Sequence, residues 1–380
     1  MTGSIKEVDI FVVGCGPGGA GAAKAAAENG YSTLVVEKKD LSNGGRYKAC
    51  GGALAWDTVD GTHFPEERID RIIEGLELHH VDGEQYTKTG KGAVVWRSTF
   101  DLYLMELARD AGADVKDREP LIQIRGLESF SKTNGETMYE IHTQNNVYHA
   151  KYVISADGMP SRTLRLLNWP DFAKDDVILS ITNEMRTSKA AINETLGSDK
   201  IHLFFGIKNL IPVGYAWLFP KAEHITTGWG NLRNLITNSR IEYQKFLDLP
   251  MVKQALNGAV SDIYMAHLIP VGIRSQLYQD QVFAVGDAGG IVDPISGKGI
   301  PYAMKSGEIA IKSIIECEAD GDLSNMGEIY ENQLERKFLK SLKAKRAARD
   351  RIFKNDETLK RFLGLWEKYS SSELIERGLI

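Results

Sequence analysis

The 380-residue sequence contains only three cysteines, and it has neither a long uncharged apolar run nor an excess of positive charge. Cys15, Cys50 and Cys317 are odd in number and far apart, which argues against a disulfide framework and against a zinc or iron–sulfur site with four cysteine ligands. A membrane-spanning helix would need about 18 uncharged apolar residues in a row, and the sequence has no such run. The first residues lack the pattern of a signal peptide. We therefore expect a cytoplasmic protein without a metal site.

The balance of charge argues against a nucleic-acid partner. Lysine and arginine total 46 against 51 aspartates and glutamates, which gives a net charge of −5 at pH 7. A protein with this balance has no overall positive field to hold a phosphate backbone. The composition, 43% hydrophobic and 26% charged, instead predicts a folded protein, and the length predicts two or three domains.

The first 37 residues have the pattern of a strand, a tight turn, a helix and a second strand. Residues 9–14 form a short apolar run that ends in glycine, and the alanine-rich segment after it stops at Asn29-Gly30. Residues 31–37 form a second apolar run, which ends in Glu37. This order predicts a βαβ unit of the dinucleotide-binding type, with a buried parallel sheet.

After residue 40 the regular alternation of strands and helices breaks down, which predicts a large insertion. The apolar spacing predicts a helix over 100–111 and strands over 137–143 and 147–155. A buried strand at 282–285 and a helix over 299–317 return the chain to the first domain. Short β-rich runs predict a second, mostly antiparallel sheet, at 177–182, 200–206, 215–219 and 225–229. Residues 325–380 have a helical composition.

The first turn contains Gly14-x-Gly16-x-x-Gly19, a spacing that predicts phosphate binding. Gly14 allows the tight turn, Gly16 lets the backbone approach a pyrophosphate, and Gly19 lets the helix lie close to the strand. The phosphates then meet the N-terminus of the helix. The carboxylate of Glu37 can accept from ribose hydroxyls and would repel a 2′-phosphate, which favours FAD or NAD over NADP.

A second segment, residues 282–300, decides between FAD and NAD. Its strand ends in Gly286-Asp287, and a carboxylate at that edge of the sheet can bind a polyol chain such as the ribitol of FAD. The helix that follows would present its N-terminus to the ring system and favour an anionic reduced flavin. The residues that open this helix are Gly297, Gly299 and Ile300. The segment predicts FAD, and the alternative is that Asp287 only caps a helix.

Together these segments resemble the p-hydroxybenzoate-hydroxylase-like superfamily of FAD enzymes. The resemblance covers residues 9–315 and also rests on Trp96-Arg97-x-x-Phe100-Asp101-x-x-Leu104 and on the turn Ala156-Asp157-Gly158. Within that superfamily, two segments resemble the geranylgeranyl reductases: Lys48-Ala49-Cys50-Gly51-Gly52-Ala53, and Tyr215-Ala216-Trp217-Leu218-Phe219-Pro220 with Gly228 downstream. The first segment differs from the family's Lys-Pro-Cys-Gly-Gly-Gly form at Ala49 and Ala53.

The resemblance implies an α/β fold with a Rossmann-type FAD-binding domain, an antiparallel-sheet substrate domain and a helical C-terminal segment. The implied FAD-binding domain is discontinuous, at 1–75, 97–165 and 275–315. The substrate domain takes 76–96 and 166–274, and the helical segment takes 316–380.

The resemblance also implies roles for single residues. Arg97 would lie against the FAD phosphates or the edge of the ring, Asp157 beside the adenosine half, and Asp287 on the ribitol-pyrophosphate part. The cofactor-binding residues are expected to be Gly14, Gly16, Gly19, Glu37, Lys48, Cys50, Arg97, Asp157, Gly286, Asp287, Gly297, Gly299 and Ile300. Cys50, Gly51, Gly52 and Tyr215 are the expected catalytic residues, and Tyr215, Trp217, Phe219 and Pro220 would form the wall of an apolar tunnel.

Considered without the resemblance, these side chains have simpler alternatives. Tyr215, Trp217 and Phe219 share one face of a strand, which suits an ordinary core as well as a tunnel wall. Cys50 is either a proton donor or a plain buried cysteine.

Geranylgeranyl reductases saturate isoprenoid double bonds, so the implied activity is hydride transfer from reduced flavin with protonation of the other carbon. We expect the proton to come from Cys50, Tyr215 or an ordered water. The implied partners are an isoprenoid or lipid substrate and an electron donor, either a ferredoxin-like protein or NAD(P)H.

Two other functions stay open. One is an aromatic hydroxylase or halogenase of the same fold, although halogenases carry Trp-x-Trp-x-Ile-Pro where this chain has Tyr215 and Phe219 at the first and fifth positions. The other is an electron-transfer flavoprotein that reduces quinone.

The C-terminal region is strongly basic. Residues 336–354 hold nine lysines and arginines against one acid, Asp350, and the apolar residues Leu334, Phe338, Leu339 and Leu342 form a partial stripe. Such a helix can lie on an anionic membrane as a peripheral contact. The alternative is a helix packed on the body of the protein with a solvated charged face.

Overall fold

A computed structural model describes residues 5–42, 44–45, 47–127, 137–206 and 211–379. The chain divides into two compact units. The first comprises Met1–Arg46, Asp101–Ala173 and Pro270–Lys343, and the second comprises Tyr47–Phe100, Lys174–Ile269 and Ala344–Ile380.

The described residues form the following strands and helices. The strands are β1 (Lys6–Val13), β2 (Thr33–Val36), β3 (Ala53–Ala55), β4 (Arg71–His80), β5 (Gln85–Val94), β6 (Asp114–Lys116), β7 (Leu121–Leu127), β8 (Met138–Thr143), β9 (Val147–Ser155), β10 (Val177–Arg186), β11 (Lys200–Phe205), β12 (Gly214–Pro220), β13 (His224–Leu232), β14 (Val260–Pro270), β15 (Tyr278–Gln279) and β16 (Val282–Ala284). The helices are α1 (Pro17–Glu28), α2 (Trp56–Thr62), α3 (Arg97–Asp110), α4 (Arg162–Leu166), α5 (Lys189–Leu196), α6 (Ser239–Leu247), α7 (Pro250–Ala255), α8 (Ile300–Asp320), α9 (Met326–Leu334), α10 (Lys340–Ile352), α11 (Asp356–Lys368) and α12 (Ser371–Glu376).

The sheet of the first unit has a parallel core. Its order is β15-β16-β9-β1-β2-β6, with β7 and β8 continuing from β9 as an antiparallel hairpin. Strands β16, β9, β1, β2 and β6 pair in parallel. Ile10, Phe11 and Val12 are fully buried in succession, as expected for a parallel strand covered on both faces. The predicted βαβ unit and its helix end at Asn29 are confirmed.

Two long helices of the first unit pack with their backbones almost in contact. A Cβ atom on Gly21 of α1 would lie 2.5 Å from the carbonyl oxygen of Met304 in α8, and one on Gly307 of α8 would lie 2.3 Å from the carbonyl oxygen of Gly18. Side chains at these positions would force the helices apart. The glycines therefore hold the N-terminal half of α8 against α1.

The sheet of the second unit has the order β14-β10-β13-β12-β11-β4-β5-β3 among the described residues. The pairs that define its centre are antiparallel, except that β11 runs parallel to β4. The predicted mostly antiparallel sheet is confirmed, but the sequence did not predict the hairpin of β4 and β5. The buried residues of β5 are consecutive at its C-terminal end and the rest are exposed or half-buried, so this strand has no apolar alternation to reveal it.

The limits of the two units differ from the predicted domain limits. Residues 97–100 lie in the second unit, and residues 166–173 and 270–274 lie in the first. Residues 47–75 cluster with the second unit, where β3 pairs with β5. The predicted helical segment 316–380 is divided, because α9 belongs to the first unit and α11 to the second. In the second unit, the backbone N–H of Thr87 in β5 donates to Glu367 of α11 at 2.9 Å.

The part of the chain that the structure describes has neither a membrane-spanning helix nor a cluster of metal ligands. No helix is long and apolar enough to cross a bilayer, and no group of three or more histidine, cysteine, aspartate or glutamate side chains is arranged to hold a metal ion.

Candidate functional site

The carboxyl ends of four adjacent parallel strands lie in one row of the first unit. Val36, Val13, Ser155 and Ala284 are register partners across β2, β1, β9 and β16. A predicted cofactor residue follows each of these strand ends by one or two positions. These residues are Glu37, Gly14, Asp157 and Gly286. Open α/β sheets bind their ligands in this position.

The turn between β1 and α1 and the first turn of α1 have no room for a side chain at Gly14 or Gly19. Gly14 has φ +98°, and a Cβ atom there would lie 2.6 Å from the carbonyl oxygen of Ala156. A Cβ on Gly19 would lie 1.9 Å from the carbonyl oxygen of Gly14. Gly16 is the N-cap of α1 and offers no side chain to cap it, while Pro17 begins the helix. The first backbone N–H groups of α1 therefore suit an anionic group such as a diphosphate.

The carboxylate of Glu37 is fixed beside this turn. One oxygen accepts from the backbone N–H of Cys15 at 3.1 Å, and the other accepts from the backbone N–H of Lys39 at 3.0 Å. The residue is only 5% exposed. Each carboxylate oxygen has a second lone pair, so Glu37 can also accept from ribose hydroxyls.

The second predicted segment lies next to the start of α8. Gly286 donates its backbone N–H to Ser306 Oγ at 3.0 Å, and a Cβ on Gly286 would lie 2.8 Å from that of Ala303. Gly299 is the N-cap of α8 and supplies no side-chain cap. A Cβ on Gly299 would lie 3.7 Å from Asp287 Oδ1. The carboxylate of Asp287 is thus held at the N-terminal end of a 21-residue helix.

The carboxylate of Asp157 has a structural partner set. Its Oδ2 accepts from the backbone N–H groups of Arg162 and Thr163 at 2.7 and 2.9 Å, and its Oδ1 accepts from Ser155 Oγ at 3.0 Å. These bonds hold the turn that leads into α4. A role for Asp157 beside the adenosine half of a cofactor stays a prediction.

The first unit therefore fits FAD. The glycine turn lets its backbone pack closely against the residues after β9, and the starts of α1 and α8 each have a glycine N-cap. Gly297 and Ile300 lie in the same segment as Gly299. Lys48, Cys50 and Arg97, the other predicted cofactor residues, belong to the second unit.

The predicted catalytic loop and the predicted tunnel wall come together in the second unit. The rings of Tyr215 and Trp217 have centroids 5.9 Å apart, and those of Trp217 and Phe219 are 6.2 Å apart. A Cβ on Gly51 would lie 2.4 Å from the Phe219 ring, and one on Gly228 would lie 2.0 Å from the Trp217 ring. The two glycines therefore let the rings of Tyr215, Trp217 and Phe219, called here the aromatic row, pack against the backbone.

Gly52 fixes the loop from its other side. A Cβ at this position would lie 2.2 Å from the carbonyl oxygen of Val95, and the N–H of Val95 donates to the carbonyl oxygen of Gly52 at 2.9 Å. The N–H of Gly52 also donates to Cys50 Sγ at 3.4 Å. Cys50 itself is partly exposed, unlike Cys15 and Cys317, which are buried.

A buried ion pair that the sequence did not reveal lies in the same unit. Lys221 Nζ is 2.9 Å from both carboxylate oxygens of Glu184. The carboxylate also accepts from the Tyr47 hydroxyl at 3.2 Å and from the Thr226 hydroxyl at 2.7 Å. Burial lowers the pKa of Lys221, and Glu184 opposes that shift. The only signal in the sequence is that Lys221 directly follows Pro220.

Two cationic side chains connect this pair to its surroundings. Lys221 Nζ lies 3.4 Å from the centroid of the Trp96 ring, a cation–π contact. The carbonyl oxygen of Lys221 accepts from Arg71 Nε at 3.0 Å and from Arg71 Nη2 at 2.7 Å. Arg97, the residue after Trp96, begins α3 and is 6% exposed.

The chain is similar to named proteins over most of its length. Residues 9–159 match a family described as FAD dependent oxidoreductase. The chain is 32% identical over 315 residues to the digeranylgeranylglycerophospholipid reductase of Methanocaldococcus jannaschii, which covers 80% of this chain and 77% of that protein. It is 30% identical over 370 residues to the protein of the same name from Thermoplasma volcanium, which covers 90% and 87% respectively.

A solved structure supports the same grouping. The crystal structure of a geranylgeranyl bacteriochlorophyll reductase-like protein from Thermoplasma acidophilum matches with a TM-score of 0.83 at 25% identity, covering 96% of this chain and 93% of that one. With the family match, this structure confirms the predicted fold class and the predicted cofactor, FAD.

Proposed function

Because the chain belongs to the geranylgeranyl reductase family of FAD-dependent oxidoreductases, we propose that it saturates the carbon–carbon double bonds of a geranylgeranyl group. The group is carried by a lipid or by a related polyprenyl compound. We assign FAD binding to the first unit and the substrate wall to the second.

The observation that carries this proposal is the contact between residues 48–53, called here the Cys50 loop, and the aromatic row. A prenyl chain has almost no hydrogen-bonding groups, so its site must be apolar and selective by shape. Trp217 and Phe219 are 7% and 8% exposed and lie directly on Gly51 and Gly228. Cys50 is a partly exposed side chain of this loop and directly precedes Gly51, which lies against the apolar surface.

Reduction of an isolated double bond needs a hydride at one carbon and a proton at the other. When bound, FAD in its reduced form supplies the hydride. The proton comes from Cys50 Sγ–H or from the Tyr215 hydroxyl, and the thiolate or phenolate that is left regains a proton from solvent. The aromatic row keeps bulk water away from the carbon that becomes electron-poor.

An anaerobic single-turnover measurement tests the activity. The FAD-loaded protein is reduced chemically and mixed with a geranylgeranyl-bearing lipid, the flavin absorbance is followed, and the product is weighed by mass spectrometry. We expect reoxidation of the flavin and a gain of two hydrogens per double bond. A flavin that stays reduced until O₂ is admitted would instead favour the hydroxylase, halogenase or quinone-reducing alternatives.

Two variants test the proton donor in the same assay. If both groups take part, we expect Cys50→Ala and Tyr215→Phe each to slow reoxidation of the flavin. The larger effect is expected from the variant that lacks the group that donates the proton to the substrate. Full activity in both variants would contradict both assignments and leave an ordered water as the proton donor.

The electron donor is proposed to be a ferredoxin-like protein or NAD(P)H. The oxidised protein is mixed anaerobically with each in turn, and the rate of flavin bleaching is compared. We expect one of the two to reduce the flavin fast enough to support steady-state turnover. Bleaching by neither would contradict this part of the proposal.

We also propose that exposed basic residues bring the protein to an anionic membrane surface, where a lipid substrate is collected. In the basic region, Lys345 and Arg349 are buried, and Arg346 is bound by Asp175, Asp176 and Asp350. These residues hold the helix on the second unit. The residues left exposed at the start of the region are Arg336, Lys337 and Lys340.

Co-sedimentation with vesicles tests the membrane contact. Changing Arg336, Lys337 and Lys340 together to glutamate should abolish sedimentation with vesicles that contain an anionic lipid. The control carries the same change at three exposed positions elsewhere, Arg240, Lys245 and Lys253. Equal sedimentation of the two triple variants would contradict the membrane proposal and leave the reductase proposal unchanged.

A further inference from the structure

The buried ion pair of Glu184 and Lys221 is a costly way to stabilise the second unit. Their side chains are 1% and 2% exposed, so both charges have been taken out of water. An apolar pair of similar volume in such a place is often as stable, or more stable, because it avoids the desolvation of two ions. The positions of the groups that the pair binds indicate a role other than stabilising the fold.

Every group around the pair has a partner. The carboxylate of Glu184 accepts hydrogen bonds from Lys221, Tyr47 and Thr226. The ammonium of Lys221 also lies over the Trp96 ring, and the guanidinium of Arg71 holds its backbone carbonyl. Such a fully satisfied polar network admits one arrangement of its members, whereas apolar contacts tolerate several.

The members of this network are placed at the ends of three segments of the proposed site. Tyr47 directly precedes Lys48-Ala49-Cys50-Gly51-Gly52-Ala53. Trp96 directly precedes Arg97, the first residue of α3. Lys221 directly follows Pro220, the last residue of β12. The pair thus joins three segments that are far apart in the sequence.

We propose that the Glu184–Lys221 pair is a positioning element of the site, which holds the Cys50 loop through Tyr47 and the start of α3 through Trp96. Its task is to give Cys50 Sγ one location relative to the aromatic row, so that the thiol can protonate the substrate. This role rests on the proposed function, because the need for a fixed thiol comes from the proton step. Burial and the charge of Glu184 raise the pKa of Tyr47, so its hydroxyl remains a donor at working pH.

The first test removes a single hydroxyl. In Tyr47→Phe the ring is kept and only the hydrogen bond to Glu184 is lost. Hydrogen exchange of residues 47–53 and the rate of Cys50 alkylation by iodoacetamide are measured in the FAD-loaded full chain. Cys15 and Cys317 are buried, so the label reports on Cys50. We expect both rates to rise about tenfold, the effect of losing one hydrogen bond to a charged group.

The second test neutralises the pair without leaving a lone buried charge. In Glu184→Gln with Lys221→Met, we expect the same local opening at residues 47–53 and also at 96–100, with the rest of the second unit exchanging as in wild type. The matched control is Arg186→Met with Asp262→Asn, which removes an exposed ion pair of 2.9 Å between β10, the strand of Glu184, and β14. The control should leave exchange and alkylation at the wild-type rates.

The kinetic readout separates positioning from a general structural role. For a protein that reduces the prenyl substrate, we expect kcat to fall about tenfold in Tyr47→Phe while KM stays within twofold, because one positioning hydrogen bond is lost and the apolar wall is intact. Lys221→Arg, which keeps the charge, should retain more of the wild-type kcat than the variant in which Glu184 and Lys221 are both replaced.

Two results would overturn the proposal. One is unchanged exchange and alkylation at residues 47–53 in both variants, and the other is faster exchange spread evenly over the whole second unit. A wild-type protein that fails to reduce any prenyl substrate would refute the proposed function, and the exchange and alkylation data would still report whether the pair holds the loop.

Discussion

His79 Nε2 lies 3.0 Å from His202 Nδ1 inside the second unit, and His202 Nε2 lies 2.9 Å from the carbonyl oxygen of Leu196. A carbonyl oxygen only accepts, so His202 carries its proton on Nε2 and accepts from His79 through Nδ1. Both rings are neutral in this arrangement. A second proton on His202 would face the N–H of His79 and break the contact.

The histidine pair predicts that the protein loses stability in mild acid. Burial lowers the pKa of His79 to about 4 and also lowers that of His202. An unfolded histidine titrates near about 6.5, so the unfolded state binds more protons as the pH falls from there toward 4. The stabilisation is complete above about pH 6.5 and is lost as the pH falls from there toward about 4. Where only the unfolded state binds the proton of His79, this residue contributes a slope of up to about 1.4 kcal/mol per pH unit to the free energy of unfolding.

Urea unfolding at several pH values between 4 and 7 measures this slope. The variant His79→Phe keeps a ring against Phe204, whose centroid lies 4.6 Å from that of His79, and removes one titrating group. We expect its free energy of unfolding to depend less steeply on pH than that of wild type. An identical slope in the two proteins would contradict the prediction.

Gly14 and Gly30 form a matched pair for testing the FAD site. Both have positive φ angles, +98° and +83°. A Cβ on Gly14 would strike the carbonyl oxygen of Ala156, whereas a Cβ on Gly30 would meet no atom within 4 Å. We expect Gly14→Ala to lose bound FAD, and Gly30→Ala to keep FAD at a cost of about 1 kcal/mol in stability from backbone strain alone.

The FAD content of each purified variant, read from the flavin absorbance per protein, checks this prediction. Thermal unfolding gives the stability of both. If the two variants retained equal amounts of FAD, the tight turn at Gly14 would not be the feature that admits the cofactor.

Gly51 and Gly61 provide a second matched pair, in the second unit. A Cβ on Gly51 would lie 2.4 Å from the Phe219 ring, and one on Gly61 in α2 would meet no atom within 4 Å. We expect Gly51→Ala to displace the ring and to lower the rate of prenyl reduction at least about tenfold, since small displacements at a reacting centre have large effects. Gly61→Ala should keep full activity and gain about 0.5–1 kcal/mol from helix propensity.

The single-turnover assay measures both variants, and the near-ultraviolet circular dichroism of the aromatic residues reports on the ring. A Gly51→Ala protein with wild-type activity would show that the loop and the aromatic row can separate without consequence for the reaction.

The contrast between the predicted and the unpredicted parts of the site has a physical basis. The glycine turn and the strand ends of the first unit could be predicted because glycine spacing and strand ends are local patterns, and parallel strands bring their carboxyl ends to one edge. The buried position of Glu184 could not be predicted, since it arises only when β10 pairs with β13 and places Glu184 opposite Thr226. That register depends on contacts between residues 42 positions apart in the chain, as the Glu184–Thr226 hydrogen bond shows.

The buried guanidinium of Arg71 gives the last prediction. Its Nη1 donates to Asn193 Oδ1 at 2.8 Å and to the carbonyl oxygen of Ser198 at 3.0 Å, while Nε and Nη2 donate to the carbonyl oxygen of Lys221. A lysine ammonium cannot reproduce this planar fork. We expect Arg71→Lys to lower the free energy of unfolding by about 2–3 kcal/mol, because buried acceptors lose their donors.

Arg186→Lys is the control for this change, since Arg186 is exposed and pairs with Asp262 through Nε at 2.9 Å. An exposed ion pair contributes little to stability, so we expect the urea midpoint of Arg186→Lys to match that of wild type. If Arg71→Lys also matched wild type, the network around the Lys221 carbonyl would tolerate a point charge in place of the fork. Arg71 would then hold this end of the network by its charge alone.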